Sequence, residues 1–193
     1  MELYFHVDRG MSLEKLERPV TQLERYDFKK ESFLSIISPL FDQDFVRSLE
    51  SIFDEGLSLH GSRYFVGLLR CADPGNFNSF LIEAYFERVR QSRFSDKPSR
   101  LQSLFAFDNL SDVVEFAKPQ RGHIYKVRPC GLCSRHDMGL LSSSFNAGEM
   151  ESRAARYWDG KPKSDDESYS PKWEYLLKCP VELLERIAYP GFQ

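Results

Sequence analysis

The stretch Ser103-Leu104-Phe105-Ala106-Phe107 is a continuous apolar run of strand length, and Asp108-Asn109 ends it with residues typical of turns. Residues 110–117, which follow, carry apolar side chains at helical spacing. The pattern predicts a buried strand, a turn and a helix in the middle of the chain. An apolar run of this size is far shorter than the ~18 residues that cross a bilayer.

Short strand-like and helical stretches lie on both sides of this unit. Residues 3–7 and 123–128 alternate as strands do, and the best helix is 78–93, where Leu81, Tyr85 and Val89 recur at i, i+4 and i+8. Further helices are expected at 44–53 and 149–158, strands at 64–69 and 173–177, and either type at 181–187. These alternations predict an α+β fold with short strands. No glycine-rich phosphate loop follows a strand, so Rossmann and P-loop folds are excluded.

Length and composition are those of an ordinary globular protein. The 193 residues predict one domain over 1–193, and the formal net charge is −3. These values exclude collagen-like, acidic disordered and histone-like chains. Aromatic residues are abundant, with 16 Phe, 9 Tyr and 2 Trp. They supply ample core and aromatic surface for a ligand.

The termini and cysteines favour a cytoplasmic protein without a membrane partner. The N-terminal residues lack the basic region and apolar run of a secretory signal. Four cysteines (Cys71, Cys130, Cys133 and Cys179) are too few for a disulfide scaffold. Cys130-Gly-Leu-Cys133, with His136 and Asp137 behind it, has the spacing of half a zinc site, but the second pair is missing, so no metal is expected.

Two stretches of the chain are polar or basic. The segment 159–168 has no core-forming residue and predicts an exposed loop. The basic residues of 88–100 offer a groove for nucleic acid, although a solvated helix face explains them better; they are Arg88, Arg90, Arg93, Lys97 and Arg100. No Gly-x-Ser-x-Gly elbow supports a hydrolase.

Taken singly, His6 and Glu174 have ordinary structural explanations. His6 lies in an apolar strand, where a histidine is more often part of the core or edge than of a site. Glu174 lies between Trp173 and Tyr175, where an acid is often the solvent-facing member of an alternation. Their order along the chain changes the interpretation of both.

In that order, three motifs resemble those of the ADP-ribosyltransferase superfamily, in its diphtheria-toxin-like and poly(ADP-ribose)-polymerase-like branch. The branch carries a histidine on the first core strand, then an aromatic strand followed by a helix, then a glutamate that opens a late strand. Tyr4-Phe5-His6, Leu104-Phe105-Ala106-Phe107 and Glu174-Tyr175-Leu176-Leu177 are similar to these. The chain also resembles a stand-alone bacterial domain that has the same landmarks, with Pro98-Ser99-Arg100 and Arg156-Tyr157-Trp158-Asp159-Gly160.

The resemblance implies a split α+β fold, in which two small antiparallel sheets with flanking helices surround an NAD cleft. Cleavage of the nicotinamide–ribose bond passes through an oxocarbenium-like state. The resemblance assigns to Glu174 the stabilisation of that positive charge, and to His6 a hydrogen bond to the other ribose, which positions NAD. Phe105 occupies the position that stacks on nicotinamide, with Phe107 and Tyr64 as alternatives.

The chain departs from the family pattern in two places. The stacking position usually holds a tyrosine, so with Phe105 a hydroxyl comes from Ser103 or Tyr64, or the activity is altered. Lys172 stands two residues before Glu174, which disfavours the arginine-modifying branch.

Further candidates for NAD binding are less specific. Arg9 and Arg100 are candidates for the NAD phosphates, with surface arginines as an equal alternative. His60-Gly61 is a candidate for the loop that covers NAD.

The expected function is a mono-ADP-ribosyltransferase that uses NAD as substrate and modifies a macromolecule, either protein or nucleic acid. The absence of an acceptor-binding elaboration favours single transfer. By analogy of fold alone, such a domain is a toxin or effector, acting in its own cell or a target cell, with an immunity or antitoxin partner. The alternatives are an NAD glycohydrolase with water as acceptor, and a non-catalytic module that binds protein or nucleic acid.

Overall fold

The computed structural model describes residues 2–9, 13, 20–25, 30–65, 74–118, 122–142 and 147–188. The strands are β1 (Tyr4–Asp8), β2 (Val20–Thr21), β3 (Ser103–Ala106), β4 (His123–Pro129), β5 (Cys133–Asp137), β6 (Trp173–Lys178) and β7 (Val181–Ile187). The α-helices are α1 (Lys30–Ile37), α2 (Gln43–Glu55), α3 (Leu59–Phe65), α4 (Pro74–Arg93), α5 (Leu110–Ala117) and α6 (Ala147–Trp158). Cys71 lies outside the described residues.

The strands form two antiparallel sheets. One has four strands in the order β1-β4-β7-β2, and the other has three in the order β3-β6-β5. A backbone bridge joins them, because Phe5 and Phe107 exchange two N–H···O bonds of 2.8 Å. The prediction of an α+β fold with two small antiparallel sheets is confirmed, and residues 181–187 are a strand. No helix among the described residues has both the length and the apolar character to cross a membrane.

Helix α4 packs between the other helices and the three-stranded sheet. Phe80 joins a cluster with side chains of α2 and α3, whereas Phe86 packs with Tyr157, Trp158 and Leu176 of α6 and β6. The indole N–H of Trp158 donates to the Phe86 carbonyl at 2.7 Å, which satisfies its buried donor. Aromatic side chains of α4 therefore join it to α2 and α3 through one cluster and to α6 and β6 through the other.

The prediction of a strand over 64–69 is wrong for Tyr64 and Phe65, which belong to α3; the other positions lie outside the described residues. Helix α3 lies directly against the turn at Arg100–Gln102. A Cβ atom at Gly61 would lie 2.2 Å from the Leu101 carbonyl oxygen, so only glycine permits this approach. The backbone N–H of Ser58 also donates to that oxygen at 2.8 Å. Tertiary packing here overrides the strand propensity of the aromatic residues.

The polar segment 159–168 is a largely exposed loop, as predicted, and one buried carboxylate holds it in place. Oδ2 of Asp137 accepts from the Lys163 N–H at 2.7 Å and from the Tyr169 hydroxyl at 2.8 Å. Oδ1 accepts from the N–H groups of Gly139 at 2.9 Å and Lys172 at 3.1 Å. Since β6 begins at Trp173, opposite Asp137, this carboxylate fixes where that strand starts.

We expect Asp137→Asn to lower the free energy of unfolding by about 2–4 kcal/mol. The NH₂ group of the asparagine would face N–H and O–H groups that also donate, and the charge-assisted hydrogen bonds would be lost. Urea titration measures this. The matched control is Asp96→Asn on the surface, which should change stability by less than about 0.5 kcal/mol. Equal effects of the two changes would show that Asp137 does not anchor the loop.

Candidate functional site

A cavity of about 280 Å³ opens where the two sheets meet, below α3 and α4. Of the residues predicted for the site, all except Ser103 line it: His6, Arg9, Tyr64, Arg100, Phe105, Phe107 and Glu174. Ligand pockets usually measure about 300–1,000 Å³, so this one accepts a small group or one end of a larger molecule. The buried Ser103 hydroxyl instead donates to the Ser99 carbonyl at 2.6 Å.

The guanidinium of Arg100 joins two carboxylates in the wall of the cavity. It is 3% exposed and donates to Glu83 through two bonds of 2.9 Å. Its Nη1 donates to Oε1 of Glu174 at 2.6 Å. With both acids ionised, two negative charges face one positive charge. Because its guanidinium already donates to these two carboxylates, Arg100 is poorly placed for the phosphate contact that the sequence predicts for it.

Electrostatics keeps the pair of Arg100 and Glu83 charged. Burial raises the pKa of Glu83, but the Arg100 guanidinium and His60 outweigh burial and hold that pKa well below its usual range. For Arg100 burial has the opposite effect and lowers the pKa, but Glu83 and the other neighbours raise that pKa well above its ordinary value. Because these groups are buried, the charges of Arg100, Glu83 and Glu174 act on one another with little screening.

A hydroxyl group contacts Glu174, but it comes from Tyr157 on α6. The Tyr157 hydroxyl donates to Oε1 of Glu174 at 2.7 Å and itself accepts a hydrogen bond from Arg100. It is distinct from the hydroxyl that the sequence predicts for the stacking position at Phe105, for which Ser103 and Tyr64 are the candidates. The signal for Tyr157 was its place in the stretch 156–160 that precedes the glutamate in the resemblance. Both donors meet at Oε1, so neither of these bonds uses Oε2.

His6 is held in one tautomer. Its Nδ1 lies 2.6 Å from the Phe105 carbonyl oxygen, which only accepts, so Nδ1 carries the proton. Burial lowers the pKa of His6, which favours the neutral ring. Nε2 is then an acceptor on a side chain that lines the cavity.

Aromatic rings cover one wall of the cavity. The ring of His60 lies 4.0 Å from that of Phe105 and 4.5 Å from that of Tyr64, centroid to centroid. We call these three residues the aromatic cluster. The Arg9 guanidinium lies 4.4 Å above the ring of Phe116, which also lines the cavity.

Two site residues carry no strong signal in the sequence. The sequence indicates His60 only as part of the loop that covers NAD, whereas the structure places it on α3, where its Nε2 lies 3.0 Å from Oε1 of Glu83. Glu83 is buried on α4 between Ile82 and Ala84. A charged residue in such a position needs partners, which here are Arg100 and His60.

Of the five basic residues of 88–100, all of which lie in the described part of the chain, Arg100 alone lines this cavity. Within the basic stretch, Arg88 pairs with Asp42 at 3.2 Å, Arg90 pairs with Glu87 at 2.8 Å, and Arg100 is buried. Arg93 stays exposed and lines a second cavity with Arg156 and Lys161. In the part of the chain that the structure describes, no group of three His, Cys, Asp or Glu side chains is arranged to hold a metal ion.

His136 supports the site from behind. It pairs with Glu174 across β5 and β6, its Nδ1 donates to the Tyr157 carbonyl at 2.6 Å, and its ring stacks on Tyr157 at 4.3 Å. The Ser134 hydroxyl completes the set with a 2.6 Å bond to Nε2. Burial lowers the pKa of His136 from 6.5 to about 4.

This shift makes stability depend on pH. The unfolded chain binds a proton at His136 more readily than the folded protein does, so lowering the pH from 6.5 to 4.5 should cost on the order of 2 kcal/mol. His6 and His60 act in the same direction but stay unchanged in a His136→Gln variant. Urea titrations should therefore show a shallower loss in that variant. Equal losses over this pH range would contradict the assignment.

The buried guanidinium gives a second prediction. Arg100→Met leaves two buried carboxylates without their cation, and we expect a loss of about 3–5 kcal/mol in the free energy of unfolding. Arg88→Met, which breaks an exposed pair, should cost at most about 1 kcal/mol. Similar losses for both variants, measured by urea titration, would show that the buried network contributes no more than a surface pair.

Comparison with known families places the chain in a family described as a protein of unknown function, DUF2441, whose family model matches residues 4–189. The chain belongs to this family. The matched region contains the cavity from β1 through Glu174. A comparison with curated proteins found no match.

Proposed function

We propose that this protein cleaves the nicotinamide–ribose bond of NAD and transfers ADP-ribose to a macromolecule, as a mono-ADP-ribosyltransferase on an ADP-ribosyltransferase-like fold. One observation carries the proposal. His6, Phe105 and Glu174, from three distant parts of the chain, line the same cavity at the junction of two small antiparallel sheets. They are the residues of the three motifs that resemble the family.

The charges of the cavity wall suit this reaction. When the bond breaks, positive charge develops on the ribose. Arg100 is shared between the carboxylates of Glu83 and Glu174, so it neutralises Glu174 only in part, and the remaining charge of that carboxylate stabilises such a cation in a buried site. Glu83 accepts bonds at both of its oxygens, whereas the bonds of Glu174 converge on Oε1. We therefore assign the contact with the ribose to Oε2 of Glu174.

His6 and the aromatic cluster position the substrate. Nε2 of His6 accepts a hydrogen bond from a ribose hydroxyl, while the bond from Nδ1 to Phe105 fixes the ring. Nicotinamide stacks on the face of Phe105 or Tyr64 that His60 does not cover, which leaves the His60 ring on the other side of the scissile bond. Because the cavity holds only one end of NAD, the phosphates extend towards Arg9 and the exposed Arg63.

Glu174→Gln should lower nicotinamide release from NAD by at least about 100-fold, because it removes the charge that stabilises the transition state. The glutamine oxygen still accepts from Arg100 and Tyr157, so the fold should persist. Mass spectrometry of nicotinamide measures the effect, with the exposed Glu115→Gln as matched control. Release from Glu174→Gln at the wild-type rate would refute the site assignment.

The acceptor is tested with NAD labelled in the adenosine moiety and added cell lysate. Transfer predicts that label enters macromolecules and that nicotinamide release rises with lysate. Free ADP-ribose at a rate that lysate does not change would identify water as the acceptor, and the protein as an NAD glycohydrolase. Absence of release from the wild type under both conditions would overturn the enzymatic proposal and favour a binding module.

A further inference from the structure

We propose that His60 is the general base of this reaction and that Glu83 positions it. His60 takes the proton from the hydroxyl group or water molecule that attacks C1′ of the ribose. The inference rests on the proposed function and assigns to this site a residue that none of the three family motifs contains.

The hydrogen bond to Glu83 fixes the tautomer of His60. Nε2 lies 3.0 Å from Oε1 of Glu83, and because a carboxylate only accepts, Nε2 carries the proton. Nδ1 therefore keeps its lone pair. No residue in the described ranges bonds to Nδ1, and the side chain lines the cavity with 19% of its surface exposed. A histidine oriented by a carboxylate is the arrangement that general bases use in hydrolases.

Packing holds the ring where it can act. The imidazole lies against Phe105 on β3 and Tyr64 on its own helix. Gly61, the next residue, brings α3 into contact with the Leu101 carbonyl, and the Ser58 hydroxyl donates to the same oxygen at 3.0 Å. Contacts from three sides thus preorganise the base.

The neighbouring acids are poorly suited to this role. Both oxygens of Glu83 accept bonds from Arg100, and Glu174 is assigned to the ribose cation. Burial lowers the pKa of His60, although Glu83 opposes that change, so the ring is neutral near pH 7 and able to accept a proton. Once protonated, the ring lies beside the Glu83 carboxylate, which stabilises the imidazolium.

The step balances without any further reactant. The bond between C1′ and the nicotinamide nitrogen breaks, and its electron pair neutralises the positive charge of the pyridinium ring. The acceptor oxygen forms a bond to C1′, and its proton moves to Nδ1 of His60. Solvent then takes the proton from the partly exposed ring.

Azide provides the test, because it is a nucleophile with no proton to lose. His60→Gln should lower nicotinamide release from NAD by about 100-fold or more. Sodium azide should restore release towards the wild-type rate, and mass spectrometry should detect the ADP-ribosyl azide. Glu174→Gln should not be restored, because its defect is in charge stabilisation. His123→Gln, on β4, is the matched histidine control and should keep the wild-type rate.

A second variant guards against misfolding of the first. Glu83→Asp keeps the charge beside Arg100 but draws the carboxylate away from His60, so its release should also fall and be restored by azide. Unchanged release in His60→Gln, or no rescue of either variant when both unfold at the wild-type temperature, would overturn the role of His60 and leave the proposed function standing. If the wild type releases no nicotinamide, both proposals fail.

Discussion

The ion pairs of Arg100 with Glu83 and Glu174 are the interaction on which the rest of this structure depends. They connect the turn before β3 to helix α4 and to strand β6 across the base of the cavity. Removing three charged groups from water costs free energy that only close pairing and added hydrogen bonds offset. Tyr157 and His60 supply those bonds, which explains why both side chains point into this centre.

The network also explains why the site lies at the meeting point of the sheets. Each sheet contributes an edge strand: β1 brings His6 and the bridge from Phe5 to Phe107, and β3 brings Phe105. Glu174 comes from β6, the central strand, which pairs with β3. Asp137 fixes the loop that leads into β6 and so sets the position of Glu174. Distant parts of the chain are thereby held in one geometry, which preorganised catalysis requires.

Much of the fold could be predicted from periodicity. Helix α4 and the strand carrying Phe105 have unambiguous apolar patterns, and the order of His6, Phe105 and Glu174 indicated which residues would meet. The propensity of Tyr64 for strands misled because helix α3 is stabilised by its packing at Gly61. Strand or helix type is least certain where tertiary contacts decide it.

The supporting residues of the site could not be predicted because their partners lie far away in sequence. Glu83 and Tyr157 are 17 and 57 residues from Arg100, and nothing local marks either as its partner. The prediction that Ser103 lines the site is wrong for the opposite reason, because its hydroxyl donates to the nearby Ser99 carbonyl and stays out of the cavity. Only the folded chain shows which polar groups remain for a ligand.

The most direct test of the proposed NAD site is a crystal structure of the Glu174→Gln variant with NAD bound. We expect nicotinamide to lie against Phe105 or Tyr64 on the side away from His60, and a ribose hydroxyl to lie within hydrogen-bond distance of Nε2 of His6. NAD bound at a different surface, or crystals grown at high NAD concentration with an empty cavity, would contradict it.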